Sequence, residues 1–100
     1  LADVYTMAES LGFSRQEAFG LIDIFNPGNT LPGRGKRMAE GDYSTSFEVT
    51  MARKDVRLMM ESAGADVDQL ITLPAVAERL DALIEKGLGE EDLGAIARKL

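Results

Sequence analysis

Apolar residues recur along this chain at helical spacing, and nowhere do they alternate as in a half-buried strand. The strongest pattern runs from Ser46 to Ala63. On a wheel of ~100° per residue, Val49, Ala52, Val56, Met59, Met60 and Ala63 form one apolar stripe. Phe47, Met51 and Leu58 form a second, narrower stripe on roughly the opposite side, with Lys54 inside it. A surface helix needs one apolar face, and a helix apolar on two sides is usually covered on both. The first stripe therefore predicts packing within the chain, and the second predicts a surface that meets something else. Lys54 has two readings. Its stem can lie on apolar neighbours with the ammonium in water, or its ammonium can point into a site shared with a ligand or another domain. Asp55 lies ~100° further round, so a facing ion pair with Lys54 is not expected, although both residues can edge one site.

The remaining segments also predict helices. Leu1, Val4, Tyr5, Ala8 and Leu11 share one helical face, and Gly12 supplies a stop. Ser14 to Glu17 forms a capping box, with a serine N-cap and a glutamate reaching back three residues later. The helix it opens should turn Ala18, Leu21, Ile22 and Phe25 inward and end at Asn26-Pro27-Gly28. The short link between these two helices predicts an antiparallel hairpin. Residues 26 to 46 are Gly- and Pro-rich at first, with one helical turn expected around Lys36 to Glu40 and a stop at Gly41. Ser46 is the expected cap of the long helix and Gly64 its close, followed by a loop over residues 65 to 73. Pro74 suits the first turn of a helix to Lys86, with Val76, Ala77, Leu80, Leu83 and Ile84 inward and a stop at Gly87. Glu90, Glu91 and Asp92 place negative charge at a final helix start, where the dipole favours it. Leu93, Ile96, Ala97 and Leu100 are its apolar side, and Arg98 and Lys99 stand at its end. The expected architecture is all-α: a compact multi-helix domain over residues 1–100, organised round one long central helix.

Composition narrows the chemistry. There is no Cys and no His, which removes disulfides, thiol catalysis and any nucleophile paired with a His base, and no metal site is expected. A reducing compartment is permitted, and a cytoplasmic location is the expectation. No apolar run approaches the ~18 residues of a membrane span. The net charge of −6 argues against nucleic acid, whose phosphates need a basic face. Charge is uneven, however. Residues 34 to 57 hold Arg34, Lys36, Arg37, Arg53, Lys54 and Arg57 against Glu40, Asp42, Glu48 and Asp55, which suits either a solvated surface or a small anionic ligand. Glycine motifs in the loop fail: Arg34 stands where a phosphate loop needs lysine, and Met38 where a dinucleotide fingerprint needs its third glycine. The chain opens in mid-helix without a start methionine or a cap, as expected of a piece of a longer protein.

One family combines these features. The Ala8 to Phe13 turn, the capped second helix, the Gly/Pro loop, Phe47 followed by Lys54-Asp55-Val56, then Pro74 and Gly87-x-Gly89-x-x-Asp92 occur in that order. Together they resemble the all-helical C-terminal domain of the β-hydroxyacid dehydrogenases. That family includes 3-hydroxyisobutyrate dehydrogenase, tartronate semialdehyde reductase and the glyoxylate/succinic semialdehyde reductases, and is related to 6-phosphogluconate dehydrogenase. The resemblance covers essentially the whole chain and is sharpest from Phe47 to Asp55.

The resemblance implies an NAD- or NADP-dependent oxidoreductase that moves hydride to or from a β-hydroxyacid or semialdehyde. The cofactor would be held mainly by an N-terminal Rossmann domain. A catalytic lysine would stand in a G-x-x-x-K-x-x-N-N type motif ahead of this segment, so both lie outside these residues. Within the segment, Lys54 would contact the cofactor near its nicotinamide, Asp55 would be a supporting acid beside the active site, and Phe47 would line the substrate pocket. The implied partners are the small-molecule substrate, the chain's own Rossmann domain and further copies in a homo-oligomer. Met59 and Met60 depart from the small residues the family often carries there, and the Asn29 to Arg37 loop varies among relatives. Arg34, Lys36 and Arg37 could hold a substrate carboxylate. A reading from a different class remains: a free-standing helical interaction or dimerisation module without catalytic activity.

Overall fold

A computed structural model describes every residue from Leu1 to Leu100. Six helices follow one another: α1 (Ala2–Ser10), α2 (Arg15–Phe19), α3 (Leu21–Ile24), α4 (Leu31–Glu40), α5 (Val49–Ser62) and α6 (Leu73–Glu85). Single 3-10 turns occupy Pro27–Thr30, Gly64–Gln69 and Leu93–Ala97. The fold is all-α, with one isolated antiparallel bridge between Glu48 and Asp92 and no helix long and apolar enough to cross a membrane.

The core lies between α5 and α6. Val49, Ala52 and Val56 pack with Ala77, Leu80 and Leu83, and Ala95 closes one end. The centre is thus a helix pair of 14 and 13 residues rather than one long helix. α5 begins at Val49 and not at Ser46, and Ser46 does not cap it. A helix start leaves its first N–H groups without intrahelical partners. Here Val49 N and Thr50 N donate instead to the Glu91 and Gly89 carbonyls, at 2.9 and 3.0 Å. A Cβ on Gly89 would lie 2.8 Å from the Thr50 methyl, so this close backbone approach requires glycine.

Local stop and start signals appear where the sequence places them. Gly12, Gly41, Gly64 and Gly87 all take positive φ, and the Ser14–Glu17 capping box is complete in both directions. Long-range ties complete the frame. α6 has no capping side chain of its own. The Asp3 carboxylate of α1 accepts the Ile71, Thr72 and Leu73 N–H groups at 2.8, 2.9 and 2.8 Å. Ser10 Oγ donates to the Ala63 carbonyl at 2.7 Å, joining the ends of α1 and α5.

Four expectations fail for physical reasons. The second helix breaks at Gly20 into α2 and α3, and Leu21, Ile22 and Phe25 are exposed rather than inward, because these short helices pack chiefly on each other and α1. α4 is longer than one turn and runs through Gly33 and Gly35, although each costs ~1 kcal/mol against alanine. Pro32 in its first turn needs no N–H partner there, and Arg37 ties its far end to the Ser44 carbonyl. The last helix is a 3-10 turn whose buried residues are Gly94 and Ala95, while Ala97 and Leu100 are exposed. Met59 leaves the buried stripe of α5 and is exposed, whereas Met60 stays half-buried against the core.

Candidate functional site

The site builds outward from Asp92, whose carboxylate is buried. Its Oδ1 accepts Gly94 N at 2.9 Å, capping the final turn. Its Oδ2 accepts Ser46 N at 3.2 Å, Ser46 Oγ at 2.8 Å and Phe47 N at 3.1 Å. Burial alone would raise the pKa of this group. The Gly94, Ser46 and Phe47 donors outweigh it and hold the carboxyl well below the usual carboxylate range. Arg34 and Arg37 approach the same carboxylate at 3.7 and 4.0 Å. One acidic side chain therefore fixes the segment that leads into α5, and with it the position of Phe47.

From that anchored foot, α5 presents two sides. Val49, Ala52, Val56 and Ala63 are buried, while Phe47, Met51 and Leu58 remain exposed. The Lys54 side chain is 46% exposed on the same open side. The two-sided pattern of the sequence is thus present in the folded chain. One expectation about it is corrected: Lys54 Nζ pairs with Asp55 Oδ1 at 3.3 Å. The ~100° between neighbouring positions separates their Cβ atoms, but a lysine stem is long enough to bend sideways to its neighbour. Lys54 and Asp55 are brought together, and Phe47 stands at the foot of the same helix.

The other basic residues between 34 and 57 are engaged within the chain, as is Arg98. Arg37 bonds Asp42 at 3.2 Å and Ser44 Oγ at 3.1 Å. Lys36 lies 3.9 Å from Glu40, Arg53 forks onto Asp81 at 2.7 and 3.0 Å, and Arg57 pairs with Glu61 at 2.5 Å. Gly33 and Gly35 lie inside α4, so the loop offers no glycine cradle for phosphate. Arg98 is half-buried over the Tyr43 ring, 4.3 Å from its centroid, and holds Glu91 at 2.8 Å through two nitrogens. No group of three or more acidic side chains gathers in a metal-binding arrangement.

Two features escaped sequence reasoning. Asp92 appeared only as helix-start charge and in the Gly87-x-Gly89-x-x-Asp92 spacing, and Asp3 not at all, because the Ser46 and Phe47 donors to Asp92 lie 45 or 46 positions away and the donors to Asp3 68 or more. The second is an open apolar groove of about 750 Å³ between α1, α2, α3 and Met59, formed because the expected inward face of residues 18 to 25 faces outward. No protein-family model matches the chain, and no curated protein matches it.

Proposed function

We propose that this chain is the helical C-terminal domain of an NAD(P)-dependent oxidoreductase acting on a β-hydroxyacid of the 3-hydroxyisobutyrate type, in which it closes the cofactor cleft and joins a homo-oligomer. The observation that carries the reading is the open side of α5, where Phe47, Met51 and Leu58 stay exposed beside Lys54 while Val49, Ala52, Val56 and Ala63 on the opposite side are buried. Burying those three side chains against a cofactor domain would gain ~1.5–3 kcal/mol each at full burial, an upper bound for groups already partly covered.

The polar donor on this face is the Lys54 ammonium, which the family resemblance sets near the nicotinamide end of the cofactor. Bound there, a nicotinamide would supply reversible hydride transfer at the hydroxyl-bearing carbon. Lys54 carries three N–H donors, and Asp55 occupies one side of the ammonium. The others are available to hold a polar cofactor group. Asp55 orients the lysine, and Phe47, seated by its N–H on Asp92, offers an apolar wall that excludes water.

A second reading is favoured by a separate observation. The exposed apolar residues of α2 and α3 suit an interaction module that needs no cofactor. One experiment separates the two. The longest natural protein that carries this chain should reduce NAD⁺ or NADP⁺ with 3-hydroxyisobutyrate or a related β-hydroxyacid, and the 100-residue chain alone should not. Absence of cofactor binding by the longer protein would leave the interaction module.

A further inference from the structure

The sequence places three cations on α4: Arg34, Lys36 and Arg37. The fold sorts them. Arg37 is bound to Asp42 at 3.2 Å and to the Ser44 hydroxyl and carbonyl. Lys36 lies 3.9 Å from Glu40 with its side chain 73% exposed. Arg34 differs from both. Every other arginine of the chain donates a side-chain hydrogen bond to a protein acceptor. Arg34 has only its ion pair with Asp92, Nη1 to Oδ1 at 3.7 Å, which is longer than a hydrogen bond. A guanidinium carries its N–H donors in a planar fork that matches a carboxylate. In Arg34 that fork is open, and the side chain is 36% exposed.

We propose that Arg34 binds the carboxylate of the β-hydroxyacid, an inference that takes its ligand from the dehydrogenase reading. The first support is orientation. Asp92 is buried, its Oδ1 accepts Gly94 N, and its Oδ2 accepts three donors from Ser46 and Phe47. It therefore steers the guanidinium from one side without occupying its N–H groups. The second is adjacency. Arg34 Nη1 and Phe47 N approach the two oxygens of this one carboxylate, so the cation stands by the foot of α5, next to the proposed pocket wall. Lys54 is about two turns further along, ~10 Å up the helix axis, which separates a cofactor group held there from an acid held at Arg34. The third is access. A Cβ at Gly33 or Gly35 would meet nothing within 4 Å, so the chain does not crowd α4 on either side of Arg34. Charge permits the ligand as well. Arg34 and Arg37 balance Asp92 and Asp42, and the N–H groups on Asp92 offset its negative charge further.

Isothermal titration calorimetry of the longest natural protein that carries this chain tests the site, with 3-hydroxyisobutyrate as the probe. NADH or NADPH is included, because a reduced cofactor cannot react with an acid that is already reduced. Arg34→Gln should weaken binding at least ~10-fold, about 1.4 kcal/mol, with an unchanged thermal midpoint, and Arg34→Lys should weaken it less. The methyl ester of the same acid carries no carboxylate charge, and the parent and Arg34→Gln should bind it equally. Equal affinity of the two proteins for the acid would overturn the proposal. So would a loss of ester binding as large as the loss for the acid, or a parent that binds no acid. A parent that binds the acid through Arg34 and reduces neither NAD⁺ nor NADP⁺ would support this site and sink the dehydrogenase reading, so the two failures are separable.

Discussion

Asp92→Ala removes a carboxylate that accepts one donor on Oδ1 and three on Oδ2. The Gly94 N–H is buried and would have no other acceptor, a loss of ~1–3 kcal/mol. Ser46 and Phe47 are exposed, so water can replace the carboxylate at their N–H groups, and each loses only a net ~1 kcal/mol. Arg34 and Arg37 are about a third exposed and lie at 3.7 and 4.0 Å, so their contribution is small. With the Ser46 hydroxyl losing a further net ~1 kcal/mol, the expected total is ~4–6 kcal/mol, a large share of the ~5–15 kcal/mol typical of a domain. The thermal midpoint should fall by well over ~10 °C. Asp92→Asn is the sharper probe. An amide has one oxygen, so it can serve either Gly94 or the Ser46–Phe47 pair and must turn its NH₂ toward the other. It should cost about half as much. Urea titration followed at 222 nm measures both variants. A loss below ~1 kcal/mol for Asp92→Ala would refute the reasoning, as would an Asn variant as stable as the parent.

Asp3→Ala should destabilise by ~2–4 kcal/mol, because the Thr72, Leu73 and Ile71 N–H groups lose their shared acceptor; a denaturant melt checks it. Ser14→Ala should cost ~1 kcal/mol through the lost cap and leave the activity of the longer protein unchanged. Asp3 and Asp92 both have lowered folded-state pKa values. Burial works against the lowering in each and is outweighed by the donors from Ile71, Leu73 and Thr72 or from Gly94, Ser46 and Phe47. A depressed carboxylate pKa stabilises the fold fully above the unfolded value and loses that contribution as pH falls through the folded value. Stability should therefore hold near neutrality and decline once pH drops below ~4, and the decline should be shallower in Asp92→Ala.

Signals carried by a few neighbouring residues were legible. Ser14 and Glu17 are three positions apart and complete their box alone, and four glycines stop or turn the chain with positive φ. The inward positions of α5 and α6 followed from period alone, since both helices bury one face against each other. What the sequence hid was non-local. Ser46 looked like a cap because it precedes an apolar run, but Asp92, 46 positions on, captured its hydroxyl. Residues 18 to 25 have a helical apolar face, yet Gly20 divides the helix and no neighbouring element covers the result. The Lys54–Asp55 pair formed because side-chain reach, not Cβ direction, decides contacts between adjacent residues.

The proposed function sets a nicotinamide cofactor against the open side of α5, where Lys54 stands among Phe47, Met51 and Leu58. The most direct measurement is kcat/KM for NAD⁺ or NADP⁺ in the longest natural protein carrying this chain, compared with its Lys54→Ala variant. Loss of a charged contact worth ~1.5–3 kcal/mol predicts a decrease of more than ~10-fold. Unchanged kinetics would contradict the assignment and leave Lys54 as a solvated side chain paired with Asp55.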